Sequence, residues 1–344
     1  VTGFGTGGLV IRPYGVTFET RDFQPAAAPR GEFVPLRCSW SGRGGPDRAT
    51  IAVTGDARSH AGLSGWLGRA VVIHDPQGSP YWWGYLHGIS LRDGAFAWRL
   101  NLDALANRLA VLHTLPDGVT TNLTGWAEDP GSQSIHGVRE RILTLEGVSA
   151  ERALAWRDAE LAARAYPRWT ADLAKLDDPA CLLDCRGWYD TLAWRYYACA
   201  AGDPLETTAQ MANIVSGCGQ FLAGTRVGSP SGVFTDPWRE GLTTARLELE
   251  LLAGLGDANG RAYRLRIGSD RKVVIDQVPL PGECDWSLGE DGAYRDEHGV
   301  RLPPWASPVG RWVRPVGSAS LPAQPPGGGA GAGYVGEWEF NFPV

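Results

Sequence analysis

Forty-six glycines and 24 prolines punctuate this chain of 344 residues, and that density of turn-formers sets the main limit on its fold. Glycine reaches the positive-φ conformations of tight turns, while proline fixes φ and removes a backbone donor, so neither sits easily inside a long helix. With 15 tryptophans against a single methionine, the composition favours many short strands joined by turns, an all-β or α+β architecture. The length leaves room for two or three cores. At 43% hydrophobic and 20% charged residues the chain lies near the globular average and far from the composition of a disordered one.

The first third alternates strand patterns with turns. An apolar run over 69–75, the turn Pro76-Gln77-Gly78-Ser79-Pro80 and an aromatic run over 81–91 predict a β-hairpin. Its Trp82, Trp83 and Tyr85 are suited to closing a small barrel. Trp82 and Trp83 are adjacent, so in a strand they point to opposite faces, and at least one needs a second layer or a partner chain to cover it. After Arg92-Asp93-Gly94, Phe96, Trp98, Leu100 and Leu102 fall on one face and Ala97, Arg99 and Asn101 on the other, the period of a half-buried strand.

The middle reads as helical. Ser149 caps a predicted amphipathic helix that ends before Pro167. Asp203-Pro204-Leu205-Glu206 has the spacing of a capping box, with Met211, Ile214, Val215, Cys218 and Leu222 as the apolar stripe and Gly224 as the stop. A third helix is predicted from Thr243 through Leu247, Leu251, Leu252 and Leu255 to Gly256. Strands then return: Tyr263, Leu265 and Ile267 alternate with arginines, and the turn 268–271 leads into a partner strand over 272–278. The tract 321–333 is rich in proline, glycine and alanine and reads as a mobile loop. Tyr334, Trp338, Phe340 and Phe342 form the alternating face of a last strand.

The residues offer little catalytic chemistry. The six histidines are scattered, with no HExxH pair and no zinc-like Cys/His spacing, although convergence in space stays open. Cys181 and Cys185 would share a helix face, but Cys199 and Cys218 are not spaced as a second ligand pair, and the six cysteines read as mostly reduced, buried thiols. No G-x-S-x-G elbow occurs, and the glycine runs at 3–8 and 327–333 lack the strand-to-helix context of a phosphate loop. The acidic pairs Glu128-Asp129, Asp177-Asp178, Glu290-Asp291 and Asp296-Glu297 read as solvated turns. Catalytic, cofactor-binding and metal-ligating residues are therefore all assigned as none. A net charge of −6 with dispersed arginines argues against nucleic-acid binding as the main task. No apolar run is long enough to cross a bilayer, and the first residues lack the pattern of a signal peptide.

One ordered series of motifs remains: Tyr81-Trp82-Trp83-Gly84-Tyr85, Leu105-Ala106-Asn107-Arg108, Trp126-Ala127-Glu128-Asp129, Ser134 to Glu140, Cys185 to Tyr196, Ala209 to Asn213, Gly219 to Gly224 and Gly336 to Phe340. In this order they resemble minor tail proteins of long-tailed bacteriophages, of the baseplate-hub or tip-attachment type. The resemblance spans most of the chain and has no counterpart before residue 30. It implies an α+β fold in which β-barrel-like domains form a hub ring: 1–30 unassigned, 31–115 a β-rich barrel-like domain, 116–180 an α/β insertion, 181–258 a helical segment, and 259–344 a C-terminal β domain. It further implies a structural virion protein at the tail tip. Such a protein associates with copies of itself, as a trimer, and with tail-tube, distal-tail and tip proteins. DNA would pass through its channel without specific binding, with an acidic lining that lets the phosphate backbone slide. Trp82, Trp83, Tyr85, Trp338 and Phe340 are the candidate interface residues. The rival readings are a carbohydrate-binding tip protein, which exposed tryptophans would serve, and a cell-wall hydrolase, which paired carboxylates in a deep cleft would serve.

Overall fold

The structure, a computed structural model, describes residues 14–27, 31–54, 60–173, 180–280, 284, 286–304, 306–317, 319, 333–335 and 337–341. The chain is α+β and mostly strand. Its centre is a ten-stranded sheet with an antiparallel path through Pro25–Ala26, Gly15–Glu19, Ala70–His74, Pro80–Asp93, Cys181–Gly187, Gly45–Val53, Phe33–Ser41 and Glu337–Asn341. The expected hairpin is present, with Val72 opposite Trp83 and Ile73 opposite Trp82. Among the described residues none of the sheets closes into a barrel. This one curls until its ends meet through side chains: the Phe18 and Phe33 rings stand 4.9 Å apart and those of Tyr14 and Phe340 6.1 Å apart.

The long strand Pro80–Asp93 serves two partners on one side. Its first half pairs with Ala70–His74 and its second half with Phe96–Asn101, while Cys181–Gly187 runs along its other side. Phe96–Asn101 pairs in turn with Trp169–Leu173, so the intervening 102–168 is an excursion that leaves the sheet and returns beside its point of departure. Within it Arg108–Thr114 and Glu140–Leu145 pair in parallel, the helix Ala150–Arg164 packs on them, and Leu109, Val111 and Ala153 form a small separate core. Ser149 caps that helix as expected, accepting from the Arg152 amide. Asp129, expected in a solvated turn, instead caps the short helix Pro130–His136 by accepting from the Ser132 amide at 2.8 Å.

Two further helix expectations need correction. The segment from 181 begins as a central strand and not as a helix, because Cys181, Leu183 and Cys185 are buried in alternation with Leu182, Asp184 and Arg186, a period of two. The two cysteines still share a face, but a strand face inside the core. The next helix starts at Thr207 with Glu206 as its cap, since Leu205–Glu206 is drawn into a short pairing with Phe234–Thr235; the helix ends at Cys218, before Gly219, and not at Gly224. The helix Ala245–Leu255 begins beside its predicted cap region, at Thr244. None of the six cysteines is in a disulfide.

This helical layer, together with the 3-10 turn Trp188–Trp194 and the hairpin Tyr263–Ile267/Val273–Gln277, shares one contiguous core with the large sheet. The hairpin is tied on through Gly44, whose amide donates to Leu265 O at 2.6 Å and whose carbonyl accepts from Ile267 N at 3.1 Å. Only glycine fits there: φ is +107°, and a Cβ would lie 2.6 Å from the Tyr189 ring. A small C-terminal sheet joins Trp286–Leu288, Tyr294–Arg295, Trp312–Pro315 and Gly333–Tyr334. The expected last strand is shorter than its pattern: Glu337–Asn341 docks on Phe33–Ser41, whereas Tyr334, expected on the same face, pairs with Trp312 in the small sheet. The proline- and glycine-rich tract at 321–332, the glycine run at 3–8, Asp177-Asp178 and Phe342 lie outside the described residues.

Candidate functional site

The structure moves the candidate interface away from the aromatic residues that the sequence singles out. Trp82 and Tyr85 are fully buried in the main core, because the curled sheet covers one face of their strand and the 3-10 turn Trp188–Trp194 covers the other. Neither can meet a partner in this fold. Trp83 is half-buried, and its indole N–H donates to Ile267 O at 3.1 Å, which fastens the hairpin to the sheet. Trp338 and Phe340 are half-buried too: Trp338 lies 5.0 Å from the Trp40 ring and Phe340 lies 5.9 Å from Tyr81. Trp82 and Tyr85 thus serve the core alone, while Trp83, Trp338 and Phe340 keep part of their surface exposed.

The apolar side chains that do reach solvent lie elsewhere. Phe96 is 51% exposed, Trp98 43%, Trp169 40% and Leu173 79%. In the antiparallel register Leu173 stands opposite Phe96, Ala171 opposite Trp98 and Trp169 opposite Leu100. All six therefore point to one face of this two-strand margin of the main sheet, and only Leu100 is covered. The other face carries Arg99 and Asp172, 3.5 Å apart. Trp169–Leu173 has no strand on its outer side among the described residues. A second apolar surface runs along the helix Ala245–Leu255, where Leu247, Leu251 and Leu255 recur at every fourth residue and are exposed while Leu249 and Leu252 are buried.

A cluster of polar residues lies behind the sheet, where a cavity of about 260 Å³ is lined by His87, Asp103, Arg139, Glu140, Arg186, Asp190 and Trp194, among others. The Tyr85 hydroxyl donates to Asp190 Oδ2 at 2.5 Å and lies 3.4 Å from His87 Nδ1, whose Nε2 is 3.0 Å from Asp103 Oδ1. Arg186 donates to the same Asp103 oxygen at 2.8 Å. Arg139, almost wholly buried, donates to Leu102 O at 2.8 Å and lays its guanidinium 3.3 Å from the centroid of the Trp194 ring. Burial, reinforced by the charge of Arg186, brings the His87 pKa down to about 4, so its imidazole is neutral at neutral pH. Burial alone would raise Asp103, but His87 and Arg186 outweigh it and hold the carboxyl below its ordinary value. Beside this cluster the buried Glu140 accepts from Arg108 at 2.5 Å and from the Tyr196 amide at 2.5 Å, and is ion-paired with Arg195 at 3.2 Å.

This constellation is drawn from residues 85, 87, 103, 139, 186 and 190, on several separate elements, so no local motif announces it. Its carboxylates answer its guanidiniums, the arrangement of a polar core that fixes one element against another. Among the described residues no three His, Cys, Asp or Glu side chains are grouped as metal ligands, and no helix is long and apolar enough to cross a membrane. Compared with known proteins, the chain matches no family model and none of the curated proteins.

Proposed function

We propose that the chain is a structural protein of a bacteriophage tail tip, of the baseplate-hub type, working as a self-associated ring whose channel passes DNA without binding it specifically. The ordered motifs named above carry the likeness to that family. The single observation that supports assembly is the solvent-facing surface of Phe96, Trp98, Trp169 and Leu173, which combines a contiguous apolar face with a strand edge that is unpaired among the described residues. Such a surface invites a partner, and an isolated chain would be prone to uncontrolled pairing there. The leucine stripe 247, 251 and 255 is a second, unlike apolar surface. A cyclic trimer uses a heterologous interface, in which each subunit offers two different patches. The curled sheet supports a barrel-like unit whose free edges would pair across subunits. Tail-tube, distal-tail and tip proteins would meet the two ends of the ring, and the net charge of −6 suits a channel for DNA.

Catalysis is not part of the proposal. A glycoside hydrolase of the usual kind needs one carboxyl held protonated as the acid, whereas within the polar cluster Asp103 is held below its ordinary value by His87 and Arg186, and Asp190 accepts from Tyr85 and Trp194. Electron microscopy of the purified chain tests the reading. Class averages with threefold symmetry around an open centre are expected; single particles of one chain, with no symmetric assembly, would remove it.

A further inference from the structure

A second cavity, of about 490 Å³, lies where the hairpin Tyr263–Ile267/Val273–Gln277 and the loop 306–311 meet the main sheet. Its size suits a ligand of one or two rings, and its lining joins an aromatic wall to at least as much polar surface, brought together from different segments. Tyr81, Trp83 and Ile267 contribute aromatic and apolar surface, Ser41 and Ser307 contribute hydroxyls, and Arg226, Arg266 and Arg311 contribute three guanidiniums. No aspartate or glutamate is among the lining residues.

The walls are held in place. Trp83 donates to Ile267 O at 3.1 Å, and Arg264 donates to Gly310 O, which ties the hairpin to the loop. Asp270 orients Arg226 at 2.8 Å, Asp276 orients Arg266 at 2.7 Å, and the Arg311 guanidinium lies 4.6 Å from the centroid of the Trp286 ring. Arg311 is lowered from its ordinary pKa by burial first and then by the charges of Arg264 and Arg266, which stand close to it.

We propose that this groove binds an anionic saccharide, with the sugar ring against Trp83 and its carboxylate or phosphate held by Arg226, Arg266 and Arg311. Guanidinium groups offer paired donors that match both anions, aromatic side chains pack against the apolar face of a pyranose, and the serine hydroxyls are placed for the ring oxygens. The site is separate from the exposed sheet margin and from the leucine stripe, so it stands independently of the assembly reading.

Isothermal titration calorimetry of the full chain decides the matter, using a glucuronic-acid trisaccharide, glucose 6-phosphate, a neutral glucose trisaccharide and inorganic phosphate as probes. At least one charged sugar is expected to bind about tenfold or more tightly than the neutral one, and the stronger of the two charged sugars tells which anion the groove takes. Arg311→Gln and, on the exposed rim, Arg226→Gln should each weaken that binding about tenfold with an unchanged circular-dichroism spectrum. Absence of binding by both charged sugars, equal binding of the neutral one, or Gln variants that bind as the parent does would overturn the proposal. Phosphate binding as tightly as the sugar phosphate would overturn its saccharide part.

Discussion

Leu173 stands directly opposite Phe96 at the margin of the main sheet, and both side chains face solvent. The sheet spends its other large aromatics inside: Trp82, Tyr85 and Trp40 are buried, and Trp338 packs on Trp40. The contrast between these two sets separates residues that hold the chain from residues left to meet another.

That separation is measurable as stability. Trp82→Ala removes a fully buried indole and is expected to cost about 3–5 kcal/mol in urea unfolding. Trp98→Ala on the exposed face should stay within about 1 kcal/mol when measured on the dissociated chain. Equal losses would mean that this margin is packed against the chain's own core.

Glu140 is a buried electrostatic contact point, held between Arg108, Arg195 and the Tyr196 amide. Glu140→Gln removes the buried charge that Arg108 and Arg195 share, leaving Arg108 with Glu128 at 2.8 Å as its carboxylate partner, and a loss of about 3 kcal/mol follows from breaking a buried ion pair. Equilibrium denaturation reads it directly; a change below about 1 kcal/mol would show that water, and not Glu140, satisfies these arginines.

The buried histidines give the protein an acid-sensitive stability. Burial first, then neighbouring arginines, brings both His87 and His136 to about 4, against about 6.5 for an unfolded histidine. Between those values the unfolded chain holds protons that the native chain does not, so stability is fully present above about pH 6.5 and falls as pH drops towards 4. Each histidine contributes on the order of 2–3 kcal/mol across that window. His87 is faced by Tyr85, Asp103, Arg139, Arg186 and Asp190, and His87→Gln should flatten the pH dependence of the urea midpoint. A midpoint that does not move between pH 7 and 4.5 would contradict the burial of both rings.

Much of the strand structure is legible in the sequence because its signals are local. The hairpin 70–93, the alternating strand at Phe96–Asn101 and the hairpin 263–277 each carry their own period and turn. What the period cannot say is which face is covered. Phe96 and Trp98 look like the buried half of a strand, yet the strand that pairs beside them, Trp169–Leu173, brings more apolar surface and no cover. Cys181–Gly187 is misread as helical because a spacing of four places two residues together on a helix and on a strand alike. The polar cluster escapes altogether, since Asp103, Arg139 and Asp190 meet His87 and Tyr85 only after distant strands have paired.

The most direct test of the central claim is the solution mass of the purified chain by light scattering, alongside the double variant Phe96→Ser/Trp98→Ser. The account predicts the mass of a trimer for the parent and of a single chain for the variant, with the same far-ultraviolet circular dichroism for both. A parent that stays monomeric at concentrations of about 100 μM, well above the Kd of a stable interface, or a variant that still forms the trimer, would contradict it.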